Sequence, residues 1–236
     1  MNIYSALKIP QVIYSTTSEY NGQIDVVQTG DTKKVIVNGI VQSLSFNSKL
    51  CAKLVWGKLS DLLYREAPNA NSVLVLGLGG GTIQQLISHK MPNAYITSVE
   101  IDKKMVEIAQ NFFDLNSIPN HNLIIGDALG VIIHPENYGI NKQSFNVVVI
   151  DIYVGETYPD LGKSGNFLSH IKDMLIPGGL VIFNRIYTTH HQADVDMFIK
   201  QVENFFTNVQ TETVPGYTNS DNILVYARSF EHSMQH

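Results

Sequence analysis

The chain has 236 residues, of which 44% are hydrophobic and 16% charged, as in an ordinary globular protein. Its length suits one α/β domain with a small addition, and no stretch approaches the roughly 18 continuous apolar residues of a membrane helix. The formal net charge of -5 argues against a nucleic-acid partner, which would need a basic surface. With a single Cys51 and no signal-peptide layout, we expect a soluble cytoplasmic protein without a membrane partner.

The first unit, residues 1–48, is predicted to be a small antiparallel β meander. Its short β-rich runs are separated by turn pairs, of which Asn21-Gly22 and Asn38-Gly39 supply the positive φ angles of tight hairpins. The predicted strands cover residues 11–15, 24–28, 33–37 and 40–44. Leucines at helical spacing then predict a helix over residues 49–63, which opens the second unit, residues 49–236.

From about residue 70 apolar strands alternate with amphipathic helices, the pattern of a parallel sheet covered on both faces. Predicted strands cover residues 72–76, 94–99, 123–125, 145–150 and 180–183, and predicted helices cover residues 82–90, 103–113, 165–175 and 191–207. The chain closes with a hairpin of strands over 208–214 and 222–227. A parallel sheet closed by one antiparallel strand predicts an α/β fold with a Rossmann-like, doubly wound sheet of the class I S-adenosylmethionine-dependent methyltransferase type.

A glycine-rich turn, Gly77-Leu78-Gly79-Gly80-Gly81, follows the first strand of this sheet. Glycines let the backbone turn sharply there and approach a ligand beside a helix N-terminus. We therefore expect Gly77, Gly79 and Gly81 to bind a nucleoside. The dinucleotide pattern requires glycine where this chain has Thr82, which, with the closing hairpin, disfavours an NAD-dependent oxidoreductase.

Carboxylates follow the next three strands. Glu100 lies close to the roughly 20-residue spacing at which an acid binds ribose hydroxyls, and Asp127 and Asp151 end the third and fourth strands. Taken singly, Glu100 could be a solvent-facing strand end or a cap for the helix that starts at Lys103, although Asp102 suits that cap better. Asp127 could likewise be a helix cap. Because ligands of open α/β sheets bind at the carboxyl ends of strands, the recurrence of such residues there predicts a nucleoside site.

These motifs, in this order and spacing, resemble the polyamine aminopropyltransferases, of which spermidine synthase is the familiar member. Besides the glycine turn, the resemblance rests on residues 18–20, 35–43, 99–102, 126–128, 149–151, 177–179 and 222–227. It implies transfer of an aminopropyl group from the co-substrate decarboxylated S-adenosylmethionine to a polyamine such as putrescine. It also implies a homodimer, with no tightly bound cofactor.

The resemblance also implies roles for individual residues. Glu100 would hold the ribose, Asp127 the adenine amine, and Gln42 would line the ligand pocket, while Asp151 would stand where the family has its general base. Three positions depart from the family pattern. The family's glycine loop usually carries aspartate at the position of Gly80. The loop after the fourth strand usually carries a second acid three residues beyond the first, at the position of Val154, and the Tyr-His-Glu signature is replaced here by residues 47–50.

An aliphatic amine with a pKa near 10 is mostly protonated at neutral pH, so transfer needs carboxylates to bind the amine and one to take its proton. Asp151 is the candidate base. The following loop offers Glu156 and Asp160 as amine ligands and Tyr153 as a wall, although a polar surface loop is the simpler interpretation of the two acids.

Two alternatives remain open from the residues. The same fold and ribose acid serve methyltransferases that use intact S-adenosylmethionine, and the altered acids would also suit a non-catalytic relative that binds a nucleoside. No histidine has carboxylate or cysteine partners at metal-ligand spacing, so no metal site is expected.

Overall fold

The structure, a computed structural model, describes residues 9–153, 165–187, 192–216 and 221–231. Within these ranges the strands are β1 (Gln11–Ser18), β2 (Gly22–Thr29), β3 (Thr32–Val37), β4 (Ile40–Leu44), β5 (Ser72–Leu76), β6 (Tyr95–Glu100), β7 (His121–Ile125), β8 (Phe145–Ile150), β9 (Leu175–Tyr187), β10 (Thr207–Val214) and β11 (Asp221–Arg228). The α-helices are α1 (Val55–Glu66), α2 (Thr82–Lys90), α3 (Lys103–Phe112), α4 (Ala128–Ile133), α5 (Gly165–Met174) and α6 (Gln192–Glu203). Short 3-10 turns cover Cys51–Lys53, Leu115–Ser117 and Pro135–Tyr138.

The four N-terminal strands form an antiparallel sheet in the order β1-β2-β3-β4. Gly22 and Gly39 adopt positive φ angles of 63° and 87° in the first and third hairpin turns, as the Asn-Gly pairs predicted. One face of the sheet buries valines and Ile24 against Met105 and Ile108 of α3. The meander is therefore packed onto the second sheet's helical layer.

The second sheet has seven strands in the order β10-β11-β9-β8-β5-β6-β7. Strands β5 to β9 are mutually parallel, and β11 runs antiparallel to both of its neighbours. Apolar clusters cover both faces, one including α1 and α2 and the other α5 and α6. The predicted α/β class and the methyltransferase-like closing hairpin are confirmed.

The structure changes the bounds of four predicted helices, the smallest change being at the end of α3, and adds one helix. The helix predicted over residues 49–63 begins only at Val55, because Leu54 is extended and the preceding 3-10 turn packs against Gly57. The helix predicted over 165–175 ends at Met174, since Leu175 already pairs with Phe145, and the helix predicted over 191–207 ends at Glu203. The six-residue helix α4 was not predicted.

Candidate active site

Strands β7, β6, β5, β8 and β9 are neighbours and run parallel, so their carboxyl ends meet along one edge of the sheet. A cavity of about 520 Å³ lies at this edge, a size typical of small-molecule sites. The N-terminal sheet forms its opposite wall, to which Gln42 and Lys34 belong. Gln42, Gly77, Gly79, Glu100, Asp127, Asp151 and Tyr153 all line this one cavity.

The glycine turn between β5 and α2 brings backbone to the cavity. Gly77 and Gly79 line it with positive φ angles of 100° and 53°, where a side chain would be strained. Gly81 was predicted to bind the ligand, but it does not line the cavity: it is the N-cap residue of α2, and an added Cβ would lie 2.9 Å from Leu115. The need for glycine at position 81 is therefore explained by helix capping and packing against Leu115, and not by contact with the cavity.

Glu100 ends β6 and is half-buried in the cavity wall. Its carboxylate accepts backbone hydrogen bonds from Leu78, at 3.1 Å, and from Asp102, at 2.9 Å. Burial raises the pKa of Glu100, and these two hydrogen bonds oppose the rise because they favour the charged form. Glu100 is thus not a helix cap. It joins the end of β6 to the glycine turn.

Asp102 and Asp127 cap the helices that follow them. Asp102 accepts from the Lys104 backbone at 2.8 Å at the start of α3, and Asp127 accepts from the Gly130 backbone at 3.1 Å at the start of α4. Both cap interpretations are confirmed. Asp127 is exposed and also lines the cavity, so it remains available to a ligand.

Asp151 follows β8 in the middle of the cavity edge. Its Oδ1 accepts a hydrogen bond of 2.7 Å from the side-chain amide of Asn184. Burial raises the pKa of Asp151 to about 6, and the Asn184 hydrogen bond opposes this rise. A carboxylate with such a pKa is mostly ionised at neutral pH and yet basic enough to take up a proton.

Asn184, Asn222 and Ser43, which the sequence analysis did not name as site residues, support this edge through hydrogen bonds. Asn184 on β9 accepts at Oδ1 from Asn222, at 3.0 Å, and its backbone oxygen accepts from Tyr153, at 2.7 Å. Ser43 on β4 accepts at Oγ from the backbone of Gly80, at 2.6 Å, and so joins the N-terminal sheet to the glycine turn. Asn184 follows the apolar run 180–183, the predicted fifth strand. The rule that polar residues at the carboxyl ends of parallel strands form the site, which led to Asp127, could therefore also have found Asn184.

Position 80 points away from the cavity. Gly80 borders a separate space of about 90 Å³, and an added Cβ would lie 2.9 Å from the Ser43 Cβ and 3.3 Å from the Phe113 ring. An aspartate at position 80, the residue that the resemblance implies there, would have no room. The departure at Gly80 therefore coincides with close packing between this loop and the N-terminal sheet.

Along the described part of the cavity edge, Asp127, Glu100 and Asp151 supply the carboxylates and Lys34 the ammonium group. Val154, Glu156 and Asp160 lie outside the residues that the structure describes, so the roles predicted for Glu156 and Asp160 as amine ligands stay predictions. Within the described ranges, no three His, Cys, Asp or Glu side chains come close enough to hold a metal ion. The described helices include none long and apolar enough to cross a membrane.

A family model of the spermine/spermidine synthase domain matches residues 58–234. The chain belongs to this family. A probable polyamine aminopropyl transferase of Bifidobacterium longum is 29% identical over 158 residues, which are 66% of this chain and 34% of that relative. The spermidine synthase of Thermotoga maritima shares the fold, with a TM-score of 0.72 at 18% identity over 92% of this chain and 72% of its own.

Methyltransferases are also among the relatives of this member of the spermine/spermidine synthase family. An eEF1A lysine and N-terminal methyltransferase homolog of Drosophila pseudoobscura pseudoobscura is 33% identical over 117 residues, or 48% of this chain and 17% of that relative. The chain thus spans about a third of the length of the bacterial relative and under a fifth of the insect one.

Proposed function

We propose that the protein transfers an aminopropyl group from decarboxylated S-adenosylmethionine to a polyamine such as putrescine. The observation that carries this proposal is Asp151, a carboxylate with a pKa near 6 that lines the same cavity as Glu100 and the glycine turn. A proton acceptor placed beside a nucleoside site suits an amine nucleophile. Family membership supports the same reaction.

In this proposal the nucleoside lies along the β5, β6 and β7 ends of the cavity. Glu100 accepts hydrogen bonds from the ribose hydroxyls, and Asp127 accepts one from the adenine amine. Gly77 and Gly79 let the backbone approach the donor, while Gln42 lines the opposite wall. The backbone hydrogen bonds from Leu78 and Asp102 fix the Glu100 carboxylate before the ligand arrives, which lowers the entropic cost of binding.

The reaction proposed at Asp151 is a displacement at the aminopropyl carbon next to the sulfonium. The electron pair of the amine nitrogen forms the new N–C bond while the C–S bond breaks. The electron pair of the C–S bond stays on sulfur, which leaves as neutral methylthioadenosine. Asp151 takes the proton that the attacking amine must lose. Tyr153 forms a wall for the acceptor in the cavity, and we assign Glu156 and Asp160 to acceptor binding from the sequence alone.

Methyl transfer from intact S-adenosylmethionine is the second candidate. It is favoured by the 33% identity to the eEF1A methyltransferase homolog and by Gly80, which leaves no space for the family's loop aspartate. Asp151 could equally serve as a base for a methyl acceptor, so the two candidates differ in donor and product.

Mass spectrometry of the products tests the proposal. Purified protein is incubated with intact or decarboxylated S-adenosylmethionine and a mixture of common polyamines. Methylthioadenosine together with an extended polyamine is the expected result. S-adenosylhomocysteine would show methyl transfer instead. If neither product formed, the result would favour a relative that only binds a nucleoside. The homodimer, the cytoplasmic location and the division into residues 1–48 and 49–236 stay predictions.

A further inference from the structure

Asn184 is almost completely buried, with 3% of its surface exposed, although its side chain is polar. It lies on β9 next to the end of β8, and among the described residues it supplies the one side-chain hydrogen bond that Asp151 accepts. Burying an amide is unfavourable unless its donors and acceptor are bonded. The buried amide is satisfied from two sides, by Asp151 and by Asn222.

The chemistry of the three side chains fixes their orientation. An ionised carboxylate accepts hydrogen bonds and donates none, so the NH₂ group of Asn184 must face Asp151. The oxygen of Asn184 then faces the NH₂ group of Asn222, which donates to it at 3.0 Å. Asn222 is the second residue of β11, the antiparallel strand beside β9, so the closing hairpin supplies the outermost group of this chain of hydrogen bonds.

We propose that Asn184 and Asn222 are positioning residues for Asp151, with Asn222 holding the Asn184 amide so that it always offers a donor to the carboxylate. This inference rests on the proposed role of Asp151 as the base. It assigns a task to the two oxygens of Asp151: Oδ1 is bonded to Asn184, and Oδ2 faces the acceptor. The closing hairpin thereby takes part in the chemistry, because it orients the amide that favours the ionised base.

Other charged and titratable groups line the same cavity or lie on the strands that carry Asn184 and Asn222. In the cavity these are Tyr20, Lys34, Glu100, Asp127 and Tyr153, and on the neighbouring strands they are Arg185 and Asp221. Arg185 stacks over the Phe198 ring at 4.3 Å, and Asp221 accepts from the Gly216 backbone at 3.0 Å. Among the hydrogen bonds of the described side chains, only that from Asn184 reaches the Asp151 carboxylate.

The test measures the ionisation of Asp151 with and without the amide. Asn184→Leu removes the donor at nearly the same volume, and Asn222→Leu removes only the group that orients it. The pKa of the Asp151 carboxyl is followed by carbon NMR of aspartate-labelled protein, with Asp151→Asn used to assign its signal. The acid limb of the pH profile of kcat/KM is measured in parallel. Asn146→Leu is the matched control, because Asn146 bonds backbone groups at the opposite end of β8.

We expect Asn184→Leu to raise the carboxyl pKa and move the acid limb upward by about one pH unit, since a hydrogen bond to the charged form is lost. Asn222→Leu should give a smaller shift in the same direction, and Asn146→Leu none. If Asn184→Leu does not fold, Asn222→Leu carries the test. A carboxyl pKa unchanged in the folded Asn184 or Asn222 variant would overturn the positioning role. If the carboxyl pKa rises while the acid limb stays in place, the positioning role holds and the proposed base is wrong.

Discussion

A Cβ added to Gly77 would lie 2.2 Å from the backbone carbonyl oxygen of Asp151, so the ends of β5 and β8 pack backbone against backbone. The Asp151 N–H also donates to the Leu76 carbonyl at 2.9 Å, and the Gly77 N–H donates to Val99 at 2.9 Å. Gly77, which opens the glycine turn, is therefore the residue that lets the backbone of the candidate base Asp151 approach this turn.

Gly77→Ala should disrupt the fold and the site together. The methyl group meets backbone atoms that cannot move aside, and the φ of 100° adds strain, so we expect a loss of several kcal/mol in the free energy of unfolding. Gly139→Ala is the matched control, because Gly139 also has a positive φ, of 68°, but open space around it. Urea unfolding measures both variants. Equal losses for the two alanines would contradict the packing described here.

Gly80→Asp restores the residue type that the family carries, yet we expect no gain in amine binding. The new side chain would overlap Ser43 and Phe113 outside the main cavity, which should cost about 1–3 kcal/mol of stability, as overpacked cores do. Thermal unfolding and acceptor affinity are measured together, with Gly130→Ala as a control at a site of ordinary contact distance. A stable Gly80→Asp variant that binds putrescine more tightly would show that this packing is wrong.

The pKa of Asp151 predicts how stability changes with pH. The pKa is raised from its ordinary value near 4 to about 6 in the folded protein, so the folded state binds a proton more tightly than the unfolded state. Its stabilising contribution is complete below pH 4 and is lost as the pH rises through 6. We expect Asp151→Asn to be more stable than the parent protein by roughly 1–2 kcal/mol at pH 7, with the difference smaller at pH 4. Chemical unfolding at the two pH values checks this, and a difference independent of pH would refute it.

The hairpin turn between β1 and β2 is bonded to Asp102. Ser18 and Asn21 donate to its Oδ2 at 2.5 Å and 2.6 Å, and Asp102 is buried. Ser18→Ala should cost about 1–3 kcal/mol of stability, because a buried carboxylate loses a donor. Ser15→Ala on the same strand is the control, since Ser15 bonds Asp25 in an exposed position. Similar losses for the two serines would argue against this attachment of the N-terminal sheet.

Much of the second sheet could be predicted because its central strands are buried on both faces and therefore read as apolar runs. The carboxyl-end rule led to Glu100, Asp127 and Asp151, which do line one cavity. The local sequence pattern failed to predict the bounds of elements that are set by pairing between distant strands. Leu175 belongs to β9 although Pro177-Gly178-Gly179 reads as a turn, because it pairs with Phe145 on β8.

The support of the site was harder to predict, since it depends on contacts between distant parts of the chain. Ser43 bonds Gly80 and Asn184 bonds Asp151 across separations that no local spacing encodes. Gly81 shows a second difficulty, because one glycine motif contains two positions that line the cavity, Gly77 and Gly79, and one, Gly81, that does not. The roles of Glu100 and Asp151 toward a ligand stay predictions.

Parallel measurement of donor affinity and aminopropyl transfer in Glu100→Ala and Asp151→Asn tests most directly whether binding and catalysis are divided between these two carboxylates. Glu100→Ala should weaken donor binding by about tenfold or more, because hydrogen bonds to a charged group are lost. Asp151→Asn should bind the donor nearly as well as the parent protein but lose about 10²–10⁴-fold in turnover, the usual contribution of a general base. Full transfer activity in Asp151→Asn, or unchanged donor affinity in Glu100→Ala, would contradict this division.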